Sequence, residues 1–176
     1  DASTIIPWEM YTVYGDKRIL ENQYESMKAW AEYMRKQSTN DLRNKGSHFG
    51  DWLFYSVTDD NDGRSAITNK YLIAQCFYAH STKLLINAAK VLGKTEDVTR
   101  YNDLLQKVRD AFLKEYTTPN GATMSNTQTS YVLALQFDLF PEGLRQQAAD
   151  RLAENIKQYG NHLTTGFLGT PYLCHV

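Results

Sequence analysis

Charge in this chain alternates from helix to helix. Six segments carry a helical apolar period, residues 2–14, 16–36, 69–92, 96–116, 127–139 and 142–159. Their counts of Asp, Glu, Lys and Arg run one, nine, three, nine, one and six. A helix almost free of charge has no face suited to water and is predicted to be buried on most sides, whereas a helix with one apolar stripe and a charged remainder lies at a surface. The odd-numbered helices are therefore expected inside and the even-numbered ones outside. A chain that passes in and out in this way builds two layers of antiparallel helices, the pattern of an α/α toroid; a four-helix bundle would repeat one amphipathic pattern instead. The expected fold class is all-α, since no segment carries a strand pattern strong enough to set against the helical one.

Connection lengths add a second asymmetry. The inner-to-outer links are short, at Gly15, at residues 93–95 and at Phe140-Pro141. The outer-to-inner links, residues 37–67, 117–126 and 160–169, are long, and one contains the turn-forming run Pro119-Asn120-Gly121. A seventh helix is expected to start near Thr170. Because successive helices reverse direction, the long links fall on one rim, and long loops on a rigid scaffold are the usual place for binding or catalysis. Asp1, Asp51, Trp52, Gln128, Thr165 and Phe167 are expected at or near that rim.

Several functions lack their signatures. A net charge of -1 and a pI near 6.5 provide no basic footprint for nucleic acid. No run approaches the roughly 20 apolar residues of a membrane span. Four histidines, His48, His80, His162 and His175, show no metal-ligand spacing, and Cys76 and Cys174 form neither a CxxC pair nor a disulfide framework. The acidic run from Thr58 to Gly63 invites a calcium reading, but in that register Thr58 replaces the first Asp and Asn69 the bidentate Glu, so a solvated turn is expected. No metal and no cofactor is expected.

The tripeptide Gly50-Asp51-Trp52 stands out by its position in a rim loop. An indole packs on the apolar C–H face of a pyranose while a neighbouring carboxylate accepts its hydroxyls, so the pair suits a sugar; a tryptophan plugging the end of a helical core is the alternative.

Four segments in order, PWEMYTVYGDKRILENQYESMKAWAEYM, HFGDWL, TQTSYVLAL and HLTTGFLGTPYL, resemble successive parts of the catalytic domain of bacterial α-L-rhamnosidases of glycoside hydrolase family 78, across essentially the whole chain. The resemblance implies a six-hairpin (α/α)6 barrel that hydrolyses terminal α-L-rhamnose with inversion of configuration. Residues 1–176 would then form the central part of a single toroid domain, about half of it, with flanking parts at both ends outside this segment. It further implies that Trp52 lines the rhamnose pocket, with Asp51 beside it, and that Asp1 follows another pocket tryptophan lying before residue 1. The family's general acid and base, which inversion sets about 6.5–9.5 Å apart, would both lie outside the segment, leaving no catalytic residue within it. The expected partner is a carbohydrate, an α-L-rhamnoside, with no nucleic acid or membrane. Inner helices left without neighbours would make the segment self-associate. Two other readings remain open: another six-hairpin glycosidase, since the architecture does not set the substrate, and a non-catalytic helical interaction domain, which the unequal helices and missing repeat period disfavour.

Overall fold

The computed structural model describes residues 1–54 and 68–176; the turn expected from Thr58 to Gly63 lies outside the described residues. Among the described residues there are helices and no strand, with two isolated bridges, Thr39 to Leu42 and Thr117 to Thr123. Two compact units are formed, residues 1–44 with 77–111 and residues 45–76 with 112–176. The helices α3 (Lys70–Val91) and α4 (Thr95–Tyr116) contribute to both.

The first unit contains α1 (Ala2–Tyr14) and α2 (Lys17–Gln37), which pack together. Gly15 sits between them at φ 68, a left-handed conformation that glycine adopts without a Cβ clash, and its N–H donates to the Tyr11 carbonyl at 2.8 Å. Asp16 then caps α2 by accepting from the Arg18 amide. The buried stripe of α2 is Leu20, Tyr24, Met27, Ala31 and Met34, spaced by fours and threes along one face. Its half-polar flank is tied to α4 by Glu32, which accepts from Arg100 at 2.7 Å and Tyr101 at 3.1 Å, and by Asp97, which accepts from Tyr24 at 2.8 Å and Lys28 at 3.1 Å. Burial pushes both carboxyls up, but these donors outweigh it and hold Glu32 and Asp97 below the ordinary carboxylate range.

The second unit contains α5 (Gln128–Gln136), α6 (Glu142–Gln158) and a 3₁₀ helix, Thr170–His175, where a seventh helix was expected to begin. Thr127 caps α5 in a reciprocal box with Ser130, and eight of the nine α5 residues are buried, as its lack of charge predicts. The helix stops short of residue 139 because Phe137 caps it and Asp138 turns left-handed at φ 56. Packing of α5 against α6 and the 3₁₀ helix is reinforced where Phe137 meets Tyr172 edge-on at 5.0 Å.

The burial pattern follows the charge pattern from α2 onward. α3 buries fourteen of its 22 residues and α2 only five of 21. The first helix departs from it: α1 buries only Thr4 and Pro7 and leaves Ile6, Met10, Val13 and Tyr14 exposed. Freedom from charge makes a helix suited to burial, but the coverage must come from neighbours; α1 packs against α2, and its buried Thr4 bonds Ser81 of α3.

Candidate functional site

In the second unit, the loop carrying Asp51 and Trp52 meets the loop of residues 162–170 at the N-terminus of α5. Asp51 is 1% exposed. Its Oδ1 accepts the amides of Leu168 at 2.7 Å and Gly169 at 3.0 Å; its Oδ2 accepts the amide of Gly166 at 2.7 Å and the hydroxyl of Thr129. A carboxylate offers about four acceptor positions, and here four donors fill them. The adjoining main chain is paired as well, the Phe167 amide donating to the Trp52 carbonyl at 2.8 Å.

Neighbouring polar groups hold the second loop along its length. The fully buried amide of Gln128 donates to the His162 carbonyl at 3.0 Å and accepts from the Thr164 amide at 3.1 Å. Thr165, nearly buried, shares a hydrogen bond with Thr170 at 2.8 Å. Two glycines make the approach possible. A Cβ on Gly166 would lie 2.5 Å from the carbonyl oxygens of Asp51 and Trp52, and one on Gly169 would lie 2.5 Å from Thr129 Oγ1. Only a residue without a side chain fits at such distances.

Trp52 sits differently from its neighbour. Its side chain is 46% exposed and stacks on Phe49 with ring centroids 5.3 Å apart, which backs one side of the indole. Phe49, Leu53 and Phe167 are also exposed, so the two joined loops present apolar and aromatic groups to solvent around a polar, buried fastening. Trp52 is therefore not the plug of a helical core. Asp51 carries no side-chain surface open to a sugar, and its partners Thr129, Gly166 and Gly169 were not identified from the sequence; the paired glycines of TGFLGT were the signal available for them.

Asp1 lies in the first unit, at the start of α1. Its Oδ1 accepts from the Trp30 indole N–H at 3.0 Å and from the Ser81 hydroxyl at 2.9 Å, and Thr4 donates to Ser81 at 3.1 Å. Of the carboxyl groups that shift among the described residues, Asp16, Glu32 and Asp97, all move down, Asp16 to about 2 through its bonds from Arg18. A general acid needs the opposite displacement. Among the described residues no group of three or more His, Cys, Asp or Glu side chains could hold a metal ion, and no helix is long and apolar enough to cross a membrane.

Residues 1–176 match the family model of the bacterial alpha-L-rhamnosidase 6 hairpin glycosidase domain. An alpha-L-rhamnosidase of Streptomyces avermitilis is 40% identical over 176 residues, covering 100% of this chain and 16% of its own length. One of Formosa agariphila is 41% identical over 178 residues, again 100% of this chain and 19% of its own length. Among solved structures, the Streptomyces avermitilis alpha-L-rhamnosidase complexed with L-rhamnose superposes with a TM-score of 0.89 at 39% identity, over 99% of this chain and 16% of that one. The alpha-L-rhamnosidase of Aspergillus terreus superposes at 0.90 with 36% identity, over 99% of this chain and 20% of that one. This chain thus spans less than a fifth of the length of the curated relatives named here.

Proposed function

Because the chain belongs to the bacterial α-L-rhamnosidase six-hairpin glycosidase family, we propose that it forms part of the catalytic domain of an inverting α-L-rhamnosidase and supplies one wall of the rhamnose pocket. The observation that carries this reading is the half-exposed indole of Trp52, backed on one side by Phe49 and held on a loop whose conformation is fixed beneath it. An indole so placed offers a flat apolar surface to the C–H face of a terminal sugar without having to rearrange. The relative of known structure that holds L-rhamnose supports the choice of sugar. Asp1 enters the pocket reading through the motif resemblance alone, its Oδ1 being engaged by Trp30 and Ser81.

On this reading the general acid and base come from outside the 176 residues. Inversion needs one carboxylic acid to protonate the leaving oxygen and one carboxylate to activate water across the sugar ring. The shifted carboxyls of this chain are held ionised by Arg, Lys and Tyr partners, which suits structural ion pairs better than proton donation.

The test uses the complete catalytic domain carrying this segment and an aryl α-L-rhamnoside, with the released sugar followed by proton NMR before it mutarotates. The β anomer is expected first. First release of the α anomer would overturn inversion, no turnover would overturn the activity, and turnover by the 176-residue segment alone would place the acid and base inside it.

A further inference from the structure

We infer that Asp51 is a positioning residue, whose buried carboxylate fastens the loop of residues 162–170 to the loop bearing Trp52 so that Trp52 and Phe167 meet the sugar as one surface. The inference rests on the rhamnose-pocket reading and adds to it a second aromatic contact and the group that places it.

Three observations carry it. The carboxylate of Asp51 has its four acceptor positions filled by Thr129 and the amides of Gly166, Leu168 and Gly169. A sugar hydroxyl would have to displace one of these bonds and reach a side chain that is 1% exposed. Breaking such a buried, charge-assisted bond costs more than the new one would return. Asp51 therefore acts through what it holds.

What it holds is the main chain on either side of Phe167. The amides of residues 166, 168 and 169 go to Asp51, and the amide of residue 167 goes to the Trp52 carbonyl at 2.8 Å. Four consecutive N–H groups are thus spoken for, which fixes the backbone dihedrals from which the Phe167 side chain projects. Yet Phe167 itself remains 71% exposed, so its ring gains little burial from the fastening. That exposure leaves the ring available to a ligand, on a main chain bonded directly to that of Trp52.

The third observation is steric. Gly166 approaches the carbonyls of Asp51 and Trp52 so closely that any side chain there would part the loops. The position of Phe167 relative to Trp52 is set by direct main-chain contact and not through an intervening side chain. Such fixed placement is what a binding surface needs if affinity is not to be lost in ordering its own loops.

A double-mutant cycle in the complete domain tests this, with L-rhamnose as the probe and dissociation constants measured by calorimetry well below each variant's melting temperature. Asp51→Asn keeps the size of the side chain but turns an NH₂ group toward donors, and is expected to raise the rhamnose Kd about tenfold; Phe167→Ala is expected to raise it about fivefold. In the Phe167→Ala background the Asp51→Asn effect should shrink to about twofold, because the two act through one surface. Thr129→Val, which removes a single donor with little change of shape, should give the same coupling at about threefold and serves if Asp51→Asn fails to fold. Additive effects, or a lowered melting temperature with unchanged Kd, would overturn the inference. Trp52→Ala separates the two levels. If it leaves the Kd unchanged, the pocket reading itself fails; if it weakens binding while Asp51→Asn and Thr129→Val do not, only the positioning role fails.

Discussion

A Cβ built on Gly166 would stand 2.5 Å from the carbonyl oxygen of Trp52, inside the distance at which side-chain atoms contact main chain. The contact is backbone on backbone, so neither side can swing away. Gly166→Ala should therefore destabilise the fold by about 1–3 kcal/mol, the cost of forcing an extra methyl into a filled space. Gly143, near the start of α6, has nothing within 4 Å of the same atom and is the control. Gly143→Ala should be neutral or stabilising by up to about 1 kcal/mol. Urea unfolding of the two variants beside the wild type decides the matter; equal effects would mean that the loops are not in the described contact.

Trp52 offers a paired measurement. In the complete domain, Trp52→Ala should weaken rhamnose binding by about 1–3 kcal/mol, the scale of losing a large aromatic contact at a site. Its effect on stability should stay below the roughly 3–5 kcal/mol of a buried tryptophan, since nearly half of the side chain is exposed. Affinity by calorimetry and melting temperature of the same variant check both halves. A large loss of stability with unaltered affinity would return the ring to a packing role.

The exposed side of α1 predicts behaviour of the isolated 176-residue segment. Ile6, Met10, Val13 and Tyr14 form an apolar face of a helix that α2 covers only in part. Light scattering should show concentration-dependent self-association, and Ile6→Gln combined with Val13→Gln should reduce it. A monodisperse monomer over a wide concentration range would refute the expectation.

Acid should weaken the fold through His80 before it reaches the carboxylates. Burial lowers the His80 imidazole from 6.5 to about 4. Between those values the unfolded chain takes up a proton that the folded chain does not, so stability falls as pH falls across that window and levels off below it. The loss attributable to His80 should be about 1–3 kcal/mol, and His80→Gln should flatten the slope there. Glu32 and Asp97 are lowered groups, whose contribution is present above their ordinary values of 4.5 and 3.8 and is lost further into acid. Denaturant midpoints at intervals of pH separate the two ranges; an unchanged slope in His80→Gln would remove His80 from the account.

The helices were legible because their signals are local. Charge spacing along 16–36 fixes which face of α2 is buried, and Gly15, Gly93 and Pro141 mark ends by backbone geometry that sequence announces directly. The exposure of α1 was not legible, because composition states what a helix tolerates and not which neighbours it has. The exposure of Trp52 is compatible with one of the two readings its loop position left open, a surface indole and not a core plug. The work of Asp51 was not legible, since three of its four partners are main-chain amides more than a hundred residues away, and an amide belongs to almost every residue type.

That same anonymity bears on how the loop of residues 162–170 can change over generations. Because residues 167 and 168 are held by their N–H groups, their side chains are at liberty to differ without loosening the attachment. Proline alone is barred from both positions on hydrogen-bonding grounds, as it lacks the N–H. A saturation library at residue 167 should therefore yield folded proteins at most substitutions while redistributing preference among glycosides. In a library that also varies residues 51, 166 and 169, the two glycines and Asp51 should stay invariant, leaving residue 167 as the one selection can spend on a new substrate.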